Sequence, residues 1–283
     1  MKLVFYKNIY SNELQLCSWL HFYLLYFYVM ILEFYKYEGT GNDFVIIDDR
    51  DQYFDISDNN LITKICDRKF GIGADGLILL RNHSIYDFEM LYFNSNGYIS
   101  TMCGNGGRCI AHFANYLKII CSTTKFMAVD GVHEARIDNN VVSLKMQNVK
   151  NIVEEKNCYI LDTGSPHYIK FVNDISNLNV REEGKAVRQQ FSQGINVNFI
   201  EIRENILVRT YERGVEDETL SCGTGVVASA LAIHYSKKSN NNTIDIKTSG
   251  GNLNITFEVD AKNYSNIWLK GSAKMIFSGK YKC

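Results

Sequence analysis

The sequence predicts an α+β protein built from two similar halves with large, mostly antiparallel sheets. Short segments of alternating apolar and polar residues follow one another along most of the chain, whereas only three stretches have helical apolar spacing. One motif also occurs twice, at Cys103 and at Cys222, each time between a strand-like segment and an apolar helix-like segment. A repeated strand–turn–helix unit indicates two pseudo-symmetric domains.

The predicted strands are short and bounded by turn residues. VVSLKM at 141–146 and LNITFEV at 253–259 alternate with the period of two that places one face of a strand on a core. The predicted strands are Ile31–Lys36, Phe44–Asp48, Leu77–Leu80, Phe88–Phe93, Val141–Met146, Asn198–Ile202, Leu207–Tyr211, Ile244–Lys247 and Leu253–Val259.

The predicted helices are Asn60–Arg68, Arg108–Ile119 and Val226–His234. From Ile110 to Leu117 the apolar residues recur at i, i+3, i+4 and i+7, which indicates one buried face. The segment VVASALAI, from position 226, is apolar almost all round, which predicts a helix buried on every side.

Charge and cysteine spacing argue against several classes of protein. A formal net charge of −1 provides no electrostatic attraction for nucleic acid or an anionic membrane. The chain has eight cysteines, but no two stand at C-x2-C or C-x4-C spacing, which argues against a zinc ribbon. We therefore expect reduced thiols in a cytoplasmic protein whose partner is a small molecule recognised by a local site.

A glycine-rich segment mimics a dinucleotide-binding motif. Gly71, Gly73 and Gly76 spell G-x-G-x-x-G, but a helix-like segment precedes them and a strand-like segment follows. Dinucleotide binding requires the opposite order, with the strand before and the helix after. The sequence therefore predicts no nucleotide cofactor here, and no metal site.

The duplicated motif indicates acid–base chemistry. CGNGG at 103–107 and CGTGV at 222–226 each begin a predicted helix. Free N–H groups and the positive end of the helix dipole would face a ligand there, and they would lower the pKa of the cysteine thiol. Two such thiols on opposite faces of one carbon, one a thiolate base and the other a thiol acid, would invert a stereocentre.

Six segments in order resemble the diaminopimelate epimerase family. They are KYEGTGNDFVIID from Lys36, DRKFGIGADGLIL from Asp67, FNSNGYISTMCGNGGRC from Phe93, TGSPH from Thr163, GINVNF from Gly194 and YERGVEDETLSCGTG from Tyr211. The resemblance implies two similar domains, each a sheet wrapped round a central helix, with the active site between them. It also implies cofactor-independent interconversion of LL- and meso-diaminopimelate, in lysine and peptidoglycan-precursor synthesis, by a family in which dimers are common.

The resemblance also implies the site residues. Cys103 and Cys222 match the catalytic thiols. The matching substrate-binding positions are Asn42, Asn94, Gly104, Asn105, Asn196, Glu212, Arg213, Gly223 and Thr224.

Two positions depart from the family pattern. Ser165 stands where many members have a substrate-contacting Asn, and Gly76 stands where some have a Gln. His167, beside Pro166, is either an ordering residue of the site or a structural histidine.

The resemblance also suggests the domain limits. The family's first strand begins a few residues after its initiator Met, which is where Met30 stands. The apolar run Cys17–Leu32 is short for a membrane span, and no small-residue cleavage site follows it. We therefore expect residues 1–29 to be a non-native or disordered extension. The N-terminal domain would comprise 30–147 plus 275–283, and the C-terminal domain 148–274.

Two alternative functions remain open. A proline or hydroxyproline racemase would share the fold and both cysteines, although a small monocarboxylate has no distal end for Asn42, Glu212 and Arg213 to hold. A non-catalytic thiol switch would form a reversible disulfide between the two cysteines, but it leaves the substrate-type residues unexplained.

Overall fold

The structure is a computed structural model, and it describes residues 31–283. The predicted extension at 1–29 lies outside these residues. The elements in chain order are β1 (Ile31–Gly39), β2 (Asn42–Asp48), α1 (Asn59–Cys66), β3 (Gly76–Arg81), β4 (Phe88–Asn94), β5 (Ile99–Ser100), α2 (Gly104–Tyr116), β6 (Thr123–Ala128), β7 (Gly131–Asp138), β8 (Val141–Lys145), β9 (Ile152–Glu155), β10 (Cys158–Asp162), β11 (Pro166–Phe171), α3 (Val180–Arg188), β12 (Asn196–Ile202), β13 (Ile206–Glu212), β14 (Asp217–Thr219), α4 (Gly223–Tyr235), β15 (Thr243–Thr248), β16 (Gly251–Asp260), β17 (Asn263–Ser272) and β18 (Lys274–Lys282).

Two halves of the chain repeat one strand order. In the first half the ladder runs β1–β2–β3–β4–β6–β7–β8, with parallel pairs at β2–β3 and β4–β6 and antiparallel pairs elsewhere. In the second half it runs β10–β11–β12–β13–β15–β16–β17, with parallel pairs at β11–β12 and β13–β15. The predicted α+β class and the two pseudo-symmetric halves are confirmed.

Two equivalent strands join the halves. β8 pairs antiparallel with β17, and Leu144 lies opposite Leu269 in that ladder. The last strand, β18, pairs with β1, so the end of the chain returns to the first half. The domain limits predicted from the sequence stay a prediction.

Each sheet carries a buried helix on one face. In α2 the residues from Gly104 to Ala111 are buried, and in α4 only Thr224, His234 and Tyr235 are partly exposed. Glycine permits the close approach of the sheet. A Cβ on Gly225 would lie 2.2 Å from the Asn198 Oδ1 atom, and a Cβ on Gly106 would lie 3.2 Å from the Ile78 side chain. Both helices begin at the glycines after the cysteines, earlier than the predicted starts at 108 and 226.

A shorter helix covers the opposite face of each sheet. The side chains of α1 pack on Val45, Ile47 and Leu79, and Val180 of α3 packs in a cluster with Phe199 and Tyr211.

The sequence-based prediction missed α3. Most residues of this helix are charged, and Gly184 lies in its middle. The glycine is there because a Cβ at that position would lie 2.3 Å from the Tyr211 Cβ atom. Asn179 caps the helix by accepting a hydrogen bond from the Glu182 N–H at 3.3 Å. Within residues 31–283 no helix is long and apolar enough to cross a membrane.

Candidate active site

The two cysteines occupy equivalent positions at the starts of the two buried helices. Cys103 is the N-cap residue of α2 and Cys222 that of α4, and both have extended backbone conformations. The two helix starts are in contact between the halves. A Cβ built on Gly223 would lie 3.6 Å from the Gly104 Cα atom. The fold therefore brings together two thiols that are distant in sequence, each beside the free N–H groups of a helix.

Backbone N–H groups of these helix starts act on both sulfur atoms. The N–H groups of Asn105 and Gly106 act to lower the pKa of Cys103, and the N–H group of Gly225 acts to lower the pKa of Cys222. The Thr224 hydroxyl lies 3.5 Å from the Cys222 sulfur. Each contact favours the thiolate over the thiol.

The predicted lowering of the thiol pKa values is nevertheless wrong. Burial raises the pKa of Cys103 and of Cys222, and the Glu212 carboxylate raises both further. The Cys103 charge also raises the pKa of Cys222. Desolvation therefore outweighs the effect of the helix-start N–H groups on both thiols.

Asn105 connects three parts of the site. Its Nδ2 group donates to the Asn42 Oδ1 atom and, at 3.3 Å, to the carbonyl of Ser221, which precedes Cys222. Its Oδ1 atom accepts a hydrogen bond from the Arg108 Nη2 group at 2.9 Å. This one amide therefore joins the start of α2, the β1–β2 turn and the segment before the second cysteine.

Arg108 is a fully buried cation at the site that the sequence did not single out. Its Nη2 group donates to Thr40 Oγ1 at 2.7 Å, and its Nη1 group donates to the Gly104 carbonyl at 3.2 Å. No acidic side chain among residues 31–283 forms a salt bridge with it. Burial lowers its pKa, and its charge lowers the pKa of Cys103. The sequence signal that could have identified Arg108 is an arginine within a predicted apolar helix.

Asn42 is held by an ion-pair cluster. Its Nδ2 group donates to Asp75 Oδ2 at 3.0 Å, and Arg68 bridges Asp75 and Asp43 at 2.8 and 2.6 Å. Burial alone would raise the pKa of Asp43, but hydrogen bonds from Arg68 and Lys36 lower it to about 2. The cluster fixes the Asn42 amide from the side opposite Asn105.

Glu212 ends β13 close to both cysteines. Burial raises its pKa, and the Thr219 hydroxyl donates to its Oε2 atom at 3.0 Å. The next residue, Arg213, is exposed, and its backbone N–H donates to Asn196 Oδ1 at 2.9 Å. Asn196, at the start of β12, is therefore held beside this pair.

Asn94 ends β4, the strand equivalent to β13. It is partly exposed and lies opposite Gly76 in the ladder. Its side-chain amide makes no hydrogen bond with the part of the chain that the structure describes. The amide is therefore free to bind a ligand.

A hydrogen-bond chain reaches Cys222 from a buried histidine. Asn198 Nδ2 donates to His167 Nδ1 at 3.0 Å, because Thr210 donates to the Asn198 Oδ1 atom and fixes the amide. His167 Nε2–H then donates to Ser165 Oγ at 3.0 Å, and Ser165 lies 3.2 Å from the Thr224 hydroxyl.

The donor directions in this chain are determined by the histidine. Burial lowers the pKa of His167 to about 3, so its ring is neutral near pH 7. Ser165 Oγ accepts from both His167 and Asn196, at 3.0 and 3.1 Å. Its own proton therefore goes to Thr224, whose proton is left to face Cys222.

Comparison with known proteins gives one consistent result. The family model described as diaminopimelate epimerase matches residues 34–152 and 159–276. Diaminopimelate epimerase of Flavobacterium psychrophilum is 49% identical over 252 residues, covering 87% of this chain and 98% of that protein. Diaminopimelate epimerase of Chlorobaculum tepidum is 39% identical over 255 residues, which cover 85% of this chain and 98% of that protein.

Solved structures share the fold at low identity. A PhzF-family phenazine biosynthesis protein of Bacillus anthracis has a TM-score of 0.69 at 13% identity, covering 89% of this chain and 99% of that one. A hydroxyproline epimerase of Agrobacterium vitis has a TM-score of 0.64 at 11% identity, and the match covers 89% of this chain and 91% of that one. At these identities the likeness shows the two-domain fold alone.

Proposed function

This chain belongs to the diaminopimelate epimerase family, and on that premise we propose a two-base mechanism for it. The reaction is the interconversion of LL- and meso-2,6-diaminopimelate, a step of lysine biosynthesis. Cys103 and Cys222 act on opposite faces of one α-carbon. The observation that carries the proposal is the meeting of two cysteine-capped helix starts at Gly104 and Gly223.

One proton leaves and another arrives at the same carbon. The thiolate on one face takes the α-proton and becomes a thiol, and the thiol on the other face donates its proton and becomes a thiolate. The reverse reaction exchanges the two roles. No cofactor takes part in this scheme, because the electron pair of the broken C–H bond is held by the adjacent carboxylate until reprotonation.

The helix starts stabilise that charge. Backbone N–H groups at Gly104, Asn105, Gly223 and Thr224 bind the reacting carboxylate, whose negative charge grows as the α-proton leaves. The preorganised dipoles of α2 and α4 favour this charge more than that of the bound substrate, which is the requirement for catalysis. Thr224 is partly exposed while its glycine neighbours are buried, so its hydroxyl also borders the site.

The remaining residues hold the substrate. Glu212 is the carboxylate that binds an ammonium group, and Arg213 offers a guanidinium fork to a carboxylate. Asn42, Asn94 and Asn196 supply amide donors and acceptors for the amino and carboxylate groups. A bound ammonium group beside Glu212 would also offset the negative charge that raises the thiol pKa values.

Isotope exchange tests the proposal. The full chain, kept in reductant, is incubated with LL-diaminopimelate in D2O, and mass spectrometry and chiral chromatography follow the α-carbon. We expect deuterium uptake together with the meso isomer. Cys103→Ala and Cys222→Ala should each lower the rate about 100- to 10,000-fold, whereas Cys121→Ala, which removes an exposed thiol, should retain it.

Other outcomes would reassign the function. Full epimerisation by both alanine variants would contradict the two-thiol mechanism. Exchange into proline or hydroxyproline, with none into diaminopimelate, would move the activity to the racemase alternative. Absence of any exchange in strong reductant would favour the thiol switch.

Two further properties are proposed on the same premise. The family membership supports a cytoplasmic location, since its substrate belongs to amino-acid biosynthesis. It also supports a homodimer, which sedimentation velocity would test.

A further inference from the structure

A second short motif occurs once in each half of the chain. Residues 40–42 read TGN and residues 163–165 read TGS, and the two glycines, Gly41 and Gly164, have φ angles of 93° and 113°. Each motif leads into the first strand of a parallel pair, β2 with β3 and β11 with β12. The last residues of the two motifs, Asn42 and Ser165, therefore occupy equivalent positions in the two halves.

The last residue of each motif contacts the residue two places after a cysteine. The Asn105 amide donates to Asn42, and the Ser165 hydroxyl lies 3.2 Å from the Thr224 hydroxyl. The Thr224 hydroxyl in turn lies 3.5 Å from the Cys222 sulfur. Among residues 31–283 the Asn105 side chain has no such contact with a sulfur atom, so only the second half connects this turn to a cysteine through side chains.

The Ser165 hydroxyl is fully used as an acceptor. It accepts from His167 Nε2–H at 3.0 Å and from Asn196 Nδ2 at 3.1 Å. The orientation of the Asn196 amide is fixed, because its Oδ1 atom accepts from the Arg213 N–H at 2.9 Å. A hydroxyl has two acceptor positions and one proton. The serine proton therefore goes to the remaining neighbour, the Thr224 hydroxyl.

The Thr224 hydroxyl is thereby oriented toward Cys222. In the part of the chain that the structure describes, this hydroxyl contacts only Ser165 and the Cys222 sulfur. Because it accepts the serine proton, its own proton faces the sulfur and acts to lower the pKa of Cys222 against the effect of burial. Without the serine proton the threonine hydroxyl could rotate and accept from the thiol, which would favour the protonated form of the cysteine instead.

We propose that Ser165 is a positioning residue that directs the Thr224 proton to Cys222 and so favours the thiolate of that cysteine. The inference rests on the proposed two-thiol mechanism and adds a residue that acts on one of the two thiols. Ser165 stands where many family members have a substrate-contacting Asn, and in this chain it acts on a catalytic thiol through Thr224.

Alkylation kinetics test the proposal without turnover. Modification of Cys103 and Cys222 by iodoacetamide is followed separately by peptide mass spectrometry, across pH. Below its pKa a thiol reacts in proportion to its thiolate fraction, so a rise of one pKa unit lowers the rate about tenfold. We expect Ser165→Ala to lower the rate at Cys222 about tenfold and to leave the rate at Cys103 unchanged.

Two variants identify the hydroxyl as the cause. Ser165→Thr keeps a hydroxyl and should keep the wild-type rate at Cys222. Ser236→Ala is the matched control, because Ser236 is also half-buried, lies at the other end of α4 and donates to the Ile233 carbonyl at 3.1 Å. It should leave the alkylation profiles of both cysteines unchanged.

A double variant shows whether Ser165 acts through Thr224. Thr224→Val removes the donor itself and leaves the contacts of Ser165 with His167 and Asn196 in place, so it tests the same hydrogen bond in a protein that keeps the His167 acceptor. It should lower the rate at Cys222 at least as much as Ser165→Ala does. The combined variant should show the Thr224→Val rate with no further decrease, because Ser165 has no other path to the sulfur.

Three outcomes would overturn the proposal. One is an unchanged Cys222 profile in Ser165→Ala, even if urea unfolding shows a less stable protein, because the serine would then be structural only. The second is an equal decrease at both cysteines, which would indicate a general change of the site. The third is a combined variant in which the two decreases multiply, since the two hydroxyls would then act independently.

The same proteins separate this inference from the proposed function. If the wild type shows no deuterium exchange into diaminopimelate, the proposed function fails. The alkylation profiles still decide whether Ser165 acts on Cys222, because they require no substrate.

Discussion

His167 should make the folded state sensitive to acid. The residue is fully buried, and desolvation together with the Arg213 charge lowers its pKa from the ordinary 6.5 to about 3. Between these two values the unfolded chain binds a proton that the folded chain excludes. Stability is therefore complete above pH 6.5 and is lost progressively as the pH falls toward 3.

The size of the effect follows from the pKa difference. One pKa unit corresponds to about 1.4 kcal/mol, so lowering the pH from 8 to 5 should remove about 2 kcal/mol of unfolding free energy through this residue alone. The His167→Gln variant has no titratable group at this position and should lack this loss of unfolding free energy between pH 8 and pH 5. Any other cost of the substitution should be the same at both pH values.

The measurement is urea unfolding of the wild type and His167→Gln at pH 8 and pH 5. We expect the stability difference between them to narrow by about 2 kcal/mol at the lower pH. As an independent check, the His167 ring signals in NMR spectra of the wild type should not titrate between pH 8 and 5. Equal pH slopes, or a ring that titrates near 6.5, would refute the reasoning.

Three further substitutions have defined outcomes. Gly184→Ala should destabilise the fold by about 1–3 kcal/mol, although alanine favours helices, because its Cβ would lie 2.3 Å from Tyr211 Cβ; urea unfolding would measure this. Arg108→Met should cost about 3 kcal/mol or more and raise the KM, since the oxygen atoms of Thr40 and Asn105 lose a buried donor. Ser165→Ala should cost about 1–3 kcal/mol, because His167 loses its acceptor.

Each of these has a control that separates it from a general effect. Lys185→Ala, on the exposed face of α3, should leave stability nearly unchanged, and a stabilising Gly184→Ala would contradict the steric argument. Arg108→Lys retains a buried donor, so its KM should lie closer to that of the wild type. Equal KM values for the Lys and Met variants would count against the hydrogen-bond role. For Ser165, a Thr variant that keeps the hydroxyl should restore stability.

Local sequence patterns predicted much of the fold. Period-two alternation located strands such as β8 and β16, because one of their faces is buried and the other is partly exposed. The all-apolar segment from Val226 proved to be a helix enclosed by its sheet. The prediction missed α3, whose charged residues and Gly184 conceal a helix that forms by packing on Tyr211, a residue distant in sequence.

The sequence likewise predicted some residues of the candidate site and missed others. Cys103 and Cys222 stand out because a short motif recurs, and the roles predicted for the surrounding polar residues stay predictions. Arg108 lies within a segment that resembles the family, but no pattern in the sequence singled it out. Its importance depends on the oxygen atoms of Thr40 and Asn105, which surround it only in the folded chain.

Local periodicity and a motif of adjacent residues were enough to predict the fold class, the duplication and two candidate cysteines. The direction in which the pKa values of these thiols shift depends on the tertiary structure. A helix start lowers a thiol pKa through its own N–H groups, but burial by the opposite half raises it more. Desolvation depends on everything packed around a group, and that information is spread over the whole chain.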